Sequence, residues 1–175
     1  MGAHDRGHVE RVVRLARYIA QREGADLEVV TVAAKLHDMA RDGPDHARRG
    51  AEIARGVLRS QGYEGEFIER VAHCIEAHSF SGGVEPRTLE ARVLSDADKL
   101  DAMGAIGVAR AFLYSGKVGR SLEDTLRHFE EKLLGLYDLL YTEAARELGH
   151  ERHKFIVEFY QRLRKELFSD PGDIN

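Results

Sequence analysis

The residues of this chain with the clearest chemical potential are histidines and aspartates. His37 and Asp38 stand side by side in the stretch "AAKLHDMARDGPDH" (residues 33–46). Imidazoles and carboxylates are ligands for divalent cations, so the pair could form half of a metal site. The dipeptide alone does not establish such a site. Further ligand-type side chains on core-facing positions would support a metal site, because a polar group without a partner is costly in the interior.

Four histidines lie on apolar helical stripes and are predicted to face the interior. Each begins or continues a run of apolar residues at steps of three and four; they are His8, His37, His46 and His78. A backbone carbonyl could satisfy any one of them, whereas four imidazoles turned toward one interior are more easily satisfied by one or two divalent cations. Other histidines are predicted at the surface and receive no role: His73, His128, His150 and His153.

Three acidic residues occur in the otherwise apolar stretch "LSDADKLDAMGAIGVAR" (94–110). On a helix Asp98 shares a face with Leu94 and Asp101, whereas Asp96 shares a face with Val93 and Leu100. Both faces are apolar enough to be buried. Periodicity therefore leaves open which of the two aspartates joins the histidines.

Composition limits the classes of protein to which the chain can belong. Its 175 residues are enough for one compact domain. The 26 basic and 30 acidic residues give a net charge of −4 and are scattered, which argues against duplex nucleic acid as a partner. The single cysteine, Cys74, excludes an intramolecular disulfide and fits a reducing cytoplasm. No apolar run approaches the roughly 18–20 residues of a membrane span, so we expect a cytoplasmic protein with no membrane partner.

The elements that must position these residues are predicted to be helices. Apolar residues recur at three- and four-residue steps along nearly the whole chain, with prolines only between or beyond these segments. The pattern predicts an all-α, single-domain bundle of about seven helices. One continuous helix is predicted from Leu94 through Phe112 and another from Leu122 to Leu140. The run "EVVTV" (28–32) is β-branched, but it continues into "AAKLH" at helical spacing and is predicted to be helical.

With these residues in place, the chain resembles the HD-domain superfamily of metal-dependent phosphohydrolases. The order of "HVERV", "LHDMARD" and "DADKLDAMG" carries the resemblance. Further segments look like the YedJ-like branch over nearly the whole chain: "AHDRGHVERVVRLA", "IEAHSFSGG", "PRTLEARVLSDADKLDAMGAIGVAR" and "EKLLGLYDLL…TEAARELGHERHKFI". We expect residues 1–116 to form the HD-type metal-binding helical core, and residues 117–175 to add C-terminal helices packed on the same domain.

The resemblance implies a helical bundle that holds a divalent ion. Its ligands would be His8, His37, Asp38 and a distal aspartate, which in the "ADKL" pattern is Asp98. The segment "DHARRGAEIA" is similar to one that supplies a histidine to a second metal in binuclear members. His46 and His78 would then hold a second ion, although "HS" stands where those members carry a His-His pair.

This ligand set leaves coordination positions open and contains no thiolate, which suits Mn first and Fe, Co, Mg, Zn or Ni as alternatives. A bound metal would make hydroxide available from water near neutral pH. Catalytic roles are expected for Asp38 at the metal, for Lys99, Arg110 and Arg41 as cations near the developing charge, and for Asp42 as proton donor to the leaving group.

The activity expected from the resemblance is hydrolysis of a nucleotide or a similar small phosphate ester. Nucleoside triphosphate pyrophosphohydrolysis is the first choice. Hydrolysis of an alarmone or a cyclic nucleotide is an alternative within the enzyme class, and a non-catalytic, metal-dependent nucleotide sensor is an alternative outside it, because ligands alone do not prove turnover. The sequence predicts no particular oligomeric state.

Overall fold

The computed structural model describes residues 6–40, 45–79 and 83–169, and within these ranges the chain contains helices and no β-strand. Eight α-helices follow one another there: α1 Arg6–Glu23, α2 Leu27–Leu36, α3 His46–Ser60, α4 Gly65–Ala77, α5 Leu89–Asp101, α6 Gly104–Val118, α7 Leu122–His128 and α8 Glu143–Phe168. The prediction of an all-α, single-domain fold is confirmed, with eight helices where about seven were expected. In the described ranges, no helix combines the length and apolar character needed to cross a membrane.

Helices α1, α2, α4 and α5 enclose the main core, and α3 packs on α4. Small and branched side chains fill this core; fully buried examples are Val12, Ala16, Val30, Ala33, Ile75 and Leu94. Alanines on the facing surfaces let the helix axes approach closely, and close approach brings polar side chains from different helices within contact distance. The candidate metal ligands lie on different helices and come together in this way.

The β-branched run 28–32 is helical, as predicted, because its first turn is capped. Asp26 precedes α2, and its carboxylate accepts hydrogen bonds from the backbone N–H groups of Glu28 and Val29. Val29 and Val30 are then buried among the other helices. Capping and burial together outweigh the modest helix propensity of valine.

The continuous helix predicted from Leu94 through Phe112 is wrong, because the chain turns between α5 and α6. Gly104 has a positive φ of +66°, a conformation that glycine adopts without a steric penalty. Gly107 lets the new helix pass close to the turn, since a Cβ there would stand 2.1 Å from the carbonyl oxygen of Ala102. The turn ends α5 at Asp101, directly after the acidic stretch.

The continuous helix predicted from Leu122 to Leu140 is also interrupted. A five-residue π-helix, Phe129–Leu133, follows α7, and a short 3₁₀ turn, Tyr137–Leu139, follows that. Most of the predicted stripe is buried nonetheless, including Phe129 and Leu140. The following helix, α8, packs against α5 and α6 and lies behind the acidic stretch.

Candidate metal centre and adjoining cavity

Three of the predicted ligands meet at one point between α1, α2 and α5. His8 lies in the first turns of α1, His37 follows the last residue of α2, and Asp98 lies in the last turn of α5. The Nε2 atoms of His8 and His37 are 3.2 Å apart, and Oδ1 of Asp98 lies 3.6 and 4.0 Å from them, respectively. These distances form a triangle whose centre is about 2.1 Å from each atom, the usual distance from a divalent metal to a nitrogen or oxygen ligand.

The hydrogen bonds on the far sides of the two rings determine which nitrogens point at this centre. Nδ1 of His8 lies 2.8 Å from the carboxylate of Asp101, and Nδ1 of His37 lies 2.8 Å from the backbone carbonyl of Ala34. Carboxylate and carbonyl oxygens only accept, so in each neutral ring the proton is on Nδ1. Both Nε2 atoms then present lone pairs to one another and to Asp98, and a cation placed between the three atoms would satisfy all of them.

Burial favours a metal ion over a proton as that cation. Burial lowers the pKa of His37, although the nearby carboxylates oppose the shift. Burial alone would raise the pKa of Asp98, but the neighbouring histidines and Arg110 outweigh that effect and lower it. Two imidazole nitrogens and one carboxylate oxygen thus meet at this point, and a divalent cation fits this donor set.

Asp101 holds His8 in position, a role that the sequence did not reveal. Its side chain is 1% exposed and accepts hydrogen bonds from His8, from Nε of Arg11 at 2.6 Å and from a guanidinium nitrogen of Arg110 at 2.6 Å. Burial opposes ionisation, but these partners outweigh it and hold the pKa of Asp101 well below its usual range. Carboxylates that bind the far nitrogen of a ligand histidine fix its tautomer and orientation.

His78 and His46 extend the line of imidazoles beyond His37. The ring of His78 makes an edge contact with that of His37, at 5.1 Å between centroids, and His46 lies 5.7 Å beyond His78. Nδ1 of His78 faces the carbonyl oxygen of Ile75 at 2.5 Å, so this ring also carries its proton away from the line. Burial lowers the pKa of His78 to about 4. In the described part of the chain, neither residue belongs to the group of mutually close donor atoms.

The remaining predicted site residues are placed differently. Asp38 is half-buried next to His37 and opposes the lowering of the His37 pKa, but among the described residues it is not a member of the group formed by His8, His37 and Asp98. Asp42, the predicted proton donor, and Arg41, a predicted cation, lie outside the described residues.

Asp96 and Lys99 face away from the three-atom group. The carboxylate of Asp96 is fully buried and accepts hydrogen bonds from the backbone of Tyr141 and from the backbone and hydroxyl of Thr142, the residue that precedes α8. The ammonium of Lys99 donates to Ser95 at 2.6 Å and lies 4.7 Å from the centre of the Tyr141 ring. Both side chains therefore connect α5 to the segment before α8. Lys99 also interacts electrostatically with Asp98, and its predicted catalytic role stays a prediction.

A cavity of 360 Å³ opens beside Asp98 and is lined mainly by α6, α7 and the π-helix. Its cationic side chains are Arg110, Arg120 and Lys132, and the guanidinium of Arg120 lies 5.3 Å from the centre of the Tyr114 ring. Arg110, a predicted catalytic cation, reaches both this cavity and Asp101. The cavity therefore combines positive charge with an aromatic surface next to the three-atom group.

His128, predicted as a surface residue with no role, is half-buried and also lines this cavity. Burial and the positive charges of Lys132 and Arg120 lower its pKa. The apolar stripe of α7 did not include His128, and the interruption after α7, which turns this part of the chain toward the cavity, was not visible in the periodicity.

The chain is similar to known proteins over most of its length. The HD domain family model matches residues 6–103. The YpgQ protein of Bacillus subtilis is 40% identical over 173 residues, covering 94% of this chain and 84% of YpgQ. The crystal structure of YpgQ in complex with ADP has a TM-score of 0.81 at 38% identity and covers 96% of this chain and 92% of that one. An HD-superfamily hydrolase from Bacillus thuringiensis has a TM-score of 0.73 at 32% identity, covering 95% and 88%.

Proposed function

The chain belongs to the HD-domain family of metal-dependent phosphohydrolases, and we propose that it cleaves a nucleoside triphosphate to the nucleoside monophosphate and pyrophosphate. The observation that carries this proposal is the cavity beside Asp98, whose walls bring Arg110, Arg120 and Lys132 together. Its 360 Å³ falls within the range of about 300–1,000 Å³ for small-molecule sites. A nucleotide ligand is also supported by the crystallisation of the similar protein YpgQ with ADP.

We propose that His8, His37 and Asp98 hold a divalent ion, with Asp38 as a fourth ligand and manganese as the preferred metal. His46 and His78 are proposed as ligands only if a second ion binds. When bound, a divalent ion supplies a more acidic water and a positive charge near a phosphoryl oxygen. Asp101 contributes by keeping His8 in the orientation that turns its Nε2 lone pair to the ligand group.

The cavity cations would position the phosphate chain and stabilise the leaving group. A chain that extends from Asp98 toward Arg120 and Lys132 has its α-phosphate nearest the three-atom group and its outer phosphates among the cations. The oxygen of water forms a bond to the α-phosphorus and releases a proton to solvent, and the bond from that phosphorus to the bridging oxygen breaks. Pyrophosphate then leaves with the added negative charge facing Arg120 and Lys132, where fixed cations lower the barrier.

Two further assignments complete the proposal. Arg110, which donates to Asp101 and lines the cavity, is placed to hold a phosphoryl oxygen near Asp98. Asp42 is retained as the proton donor to the leaving oxygen on the strength of the sequence alone.

The test is a substrate panel with the manganese-loaded protein, in which phosphate and pyrophosphate are measured separately. The panel contains nucleoside triphosphates, ADP, a cyclic nucleotide and an alarmone. Pyrophosphate release from triphosphates without phosphate release is expected. Release of phosphate alone, or turnover only of the cyclic nucleotide or the alarmone, would contradict the proposed cleavage, and binding without turnover would indicate a sensor.

A pair of variants connects the activity to the cavity. Arg120→Ala should lower kcat/KM for the triphosphate by about 10–100-fold, the value of one hydrogen bond to a charged group. Arg127→Ala is the matched control, because Arg127 on α7 is exposed and pairs only with Asp124 in the described part of the chain. Equal activity of the two variants would place the phosphates elsewhere.

A further inference from the structure

A second cavity lies on the other side of Asp101, between α1, the start of α6 and α8. It has a volume of 220 Å³ and is separate from the cavity beside Asp98. Three arginines line it, Arg11 and Arg14 from α1 and Arg152 from α8. Of the described residues that line it, Asp101 is the one carboxylate.

The cations of this cavity outnumber the negative charge that faces them. Asp101 already accepts hydrogen bonds from Arg11, Arg110 and His8. Arg152 donates to the backbone carbonyl of Leu100, which carries no formal charge. Among the described residues, the lining therefore has three guanidinium groups and one carboxylate, an excess of two positive charges.

Arg14 is the member of this group most available to a ligand. Its side chain is exposed, and in the described part of the chain it has no hydrogen bond or ion pair. The wall around the arginines is apolar, formed by Leu15, Tyr18, Ile106 and Leu148. Apolar walls reduce local screening, so the positive charges act more strongly on an anion inside than they would on an open surface.

Size and charge together restrict the ligand. The volume of 220 Å³ lies below the range of about 300 Å³ and more that is typical of sites for larger organic ligands. Guanidinium groups bind phosphoryl oxygens with paired, charge-assisted hydrogen bonds. An inorganic phosphate or pyrophosphate suits this combination of size and charge.

We propose that this cavity, lined by Arg11, Arg14 and Arg152, is a binding site for a small inorganic phosphate anion, with pyrophosphate as the preferred ligand. The site is distinct from the substrate cavity, and its existence does not depend on the proposed function. Its wall includes Asp101, the carboxylate that orients His8, so an anion bound there lies directly behind the candidate metal centre.

The test is calorimetric titration of the metal-free protein with pyrophosphate, which requires no turnover and avoids chelation of a bound metal. The wild-type protein should bind pyrophosphate at two sites, one in each cavity. Arg14→Glu should weaken one site by at least about tenfold, because a charge-assisted contact is replaced by repulsion. Arg120→Glu should weaken the other site and leave this one unchanged.

Arg17→Glu is the matched control for charge. Arg17 is also exposed on α1, lies outside the cavity and makes one long hydrogen bond to Thr31, so the substitution changes net charge equally at a similar position. The proposal is supported if Arg17→Glu binds pyrophosphate like the wild-type protein while Arg14→Glu loses one of the two sites. Identical titrations of the two variants, or a single site that Arg120→Glu removes, would overturn it. Failure of triphosphate hydrolysis would leave this result unaffected.

Discussion

Asp96→Asn and Asp98→Asn are the same chemical change two positions apart on α5, and we expect them to have opposite consequences. Asp96 is surrounded by hydrogen-bond donors, the backbone N–H groups of Tyr141 and Thr142 and the Thr142 hydroxyl. Asp98 faces two imidazole lone pairs. The first substitution should therefore impair folding, and the second should impair metal binding.

The loss of stability expected from Asp96→Asn follows from the hydrogen bonds of the Asp96 carboxylate. An amide has one acceptor oxygen where the carboxylate has two, so its NH₂ group must face a backbone N–H. A hydrogen bond to a charged group contributes about 1.5–3 kcal/mol, and a donor left unsatisfied in the interior costs about 1–3 kcal/mol. Burial raises the pKa of Asp96, which shows that desolvation offsets part of this contribution. A net loss of about 2 kcal/mol corresponds to a fall in Tm of about 4–8 °C for a chain of this size.

Asp98→Asn is expected to weaken metal binding and not folding. The amide can donate to a histidine lone pair, so the metal-free protein should unfold within about 2 °C of the wild type. The charge that attracts the cation is lost, and metal affinity should fall by more than the roughly 10–100-fold that is typical of residues behind the ligands.

Two measurements separate these effects. Calorimetry on metal-free protein gives Tm, and elemental analysis after dialysis against limiting manganese gives the bound metal. If Asp98→Asn retains its metal while Asp96→Asn loses it, the ligand assignment is wrong. If Asp98→Asn unfolds like Asp96→Asn, Asp98 is a structural residue and the lone-pair argument fails.

Three further predictions concern the histidines and the metal. Chelation should lower the Tm of manganese-loaded protein, since a ligand present at about 100 times its Kd stabilises the folded state by about 2.7 kcal/mol; an unchanged Tm would exclude a tight site. Burial lowers the pKa of His78 to about 4, so on acidification the unfolded chain binds a proton at this residue before the folded chain does. Protonation of His78 should therefore contribute about 3 kcal/mol to the fall in the free energy of unfolding of metal-free protein from pH 6.5 to pH 4. Chemical denaturation at each pH checks this, with His78→Phe expected to flatten the profile and His150→Gln, a change at an exposed residue, to leave it unchanged. The wild-type protein and His46→Ala should each bind about one metal ion per chain, because His46 is not in the three-atom group; two ions in the wild type and one in His46→Ala would establish a second site.

Periodicity predicted burial well where an apolar stripe was long and continuous. His8, His37 and His78 are buried as expected, because each extends a stripe whose other members fill the core. The breaks in the helices were not predicted, since a helical pattern continues through a residue whose φ alone changes. Gly104 ends the pattern of α5 by adopting a φ of +66°, and only its identity as glycine hinted at the turn.

The role of Asp101 was not predicted because its partners are far from it in the sequence. Arg11, its partner through two hydrogen bonds, is 90 residues away, and His8 is 93 residues away. The sequence did contain one usable signal, the shared face of Asp98 and Asp101. A second carboxylate one turn after a ligand on the same face is in position to reach the far nitrogen of a ligand histidine.

The choice between Asp96 and Asp98 shows why helical geometry alone was insufficient. At about 100° per residue, positions 98 and 101 point about 60° apart, while position 96 points about 160° away from position 98. The sequence therefore establishes that the two aspartates serve opposite sides of α5, but both sides are buried and have a polar partner. Packing decides between them, because α1 and α2 bring His8 and His37 to one side of α5, while the segment before α8 brings the donors of Tyr141 and Thr142 to the other. A helix buried on both faces can thus hold a metal ligand on one side and anchor the next helix on the other.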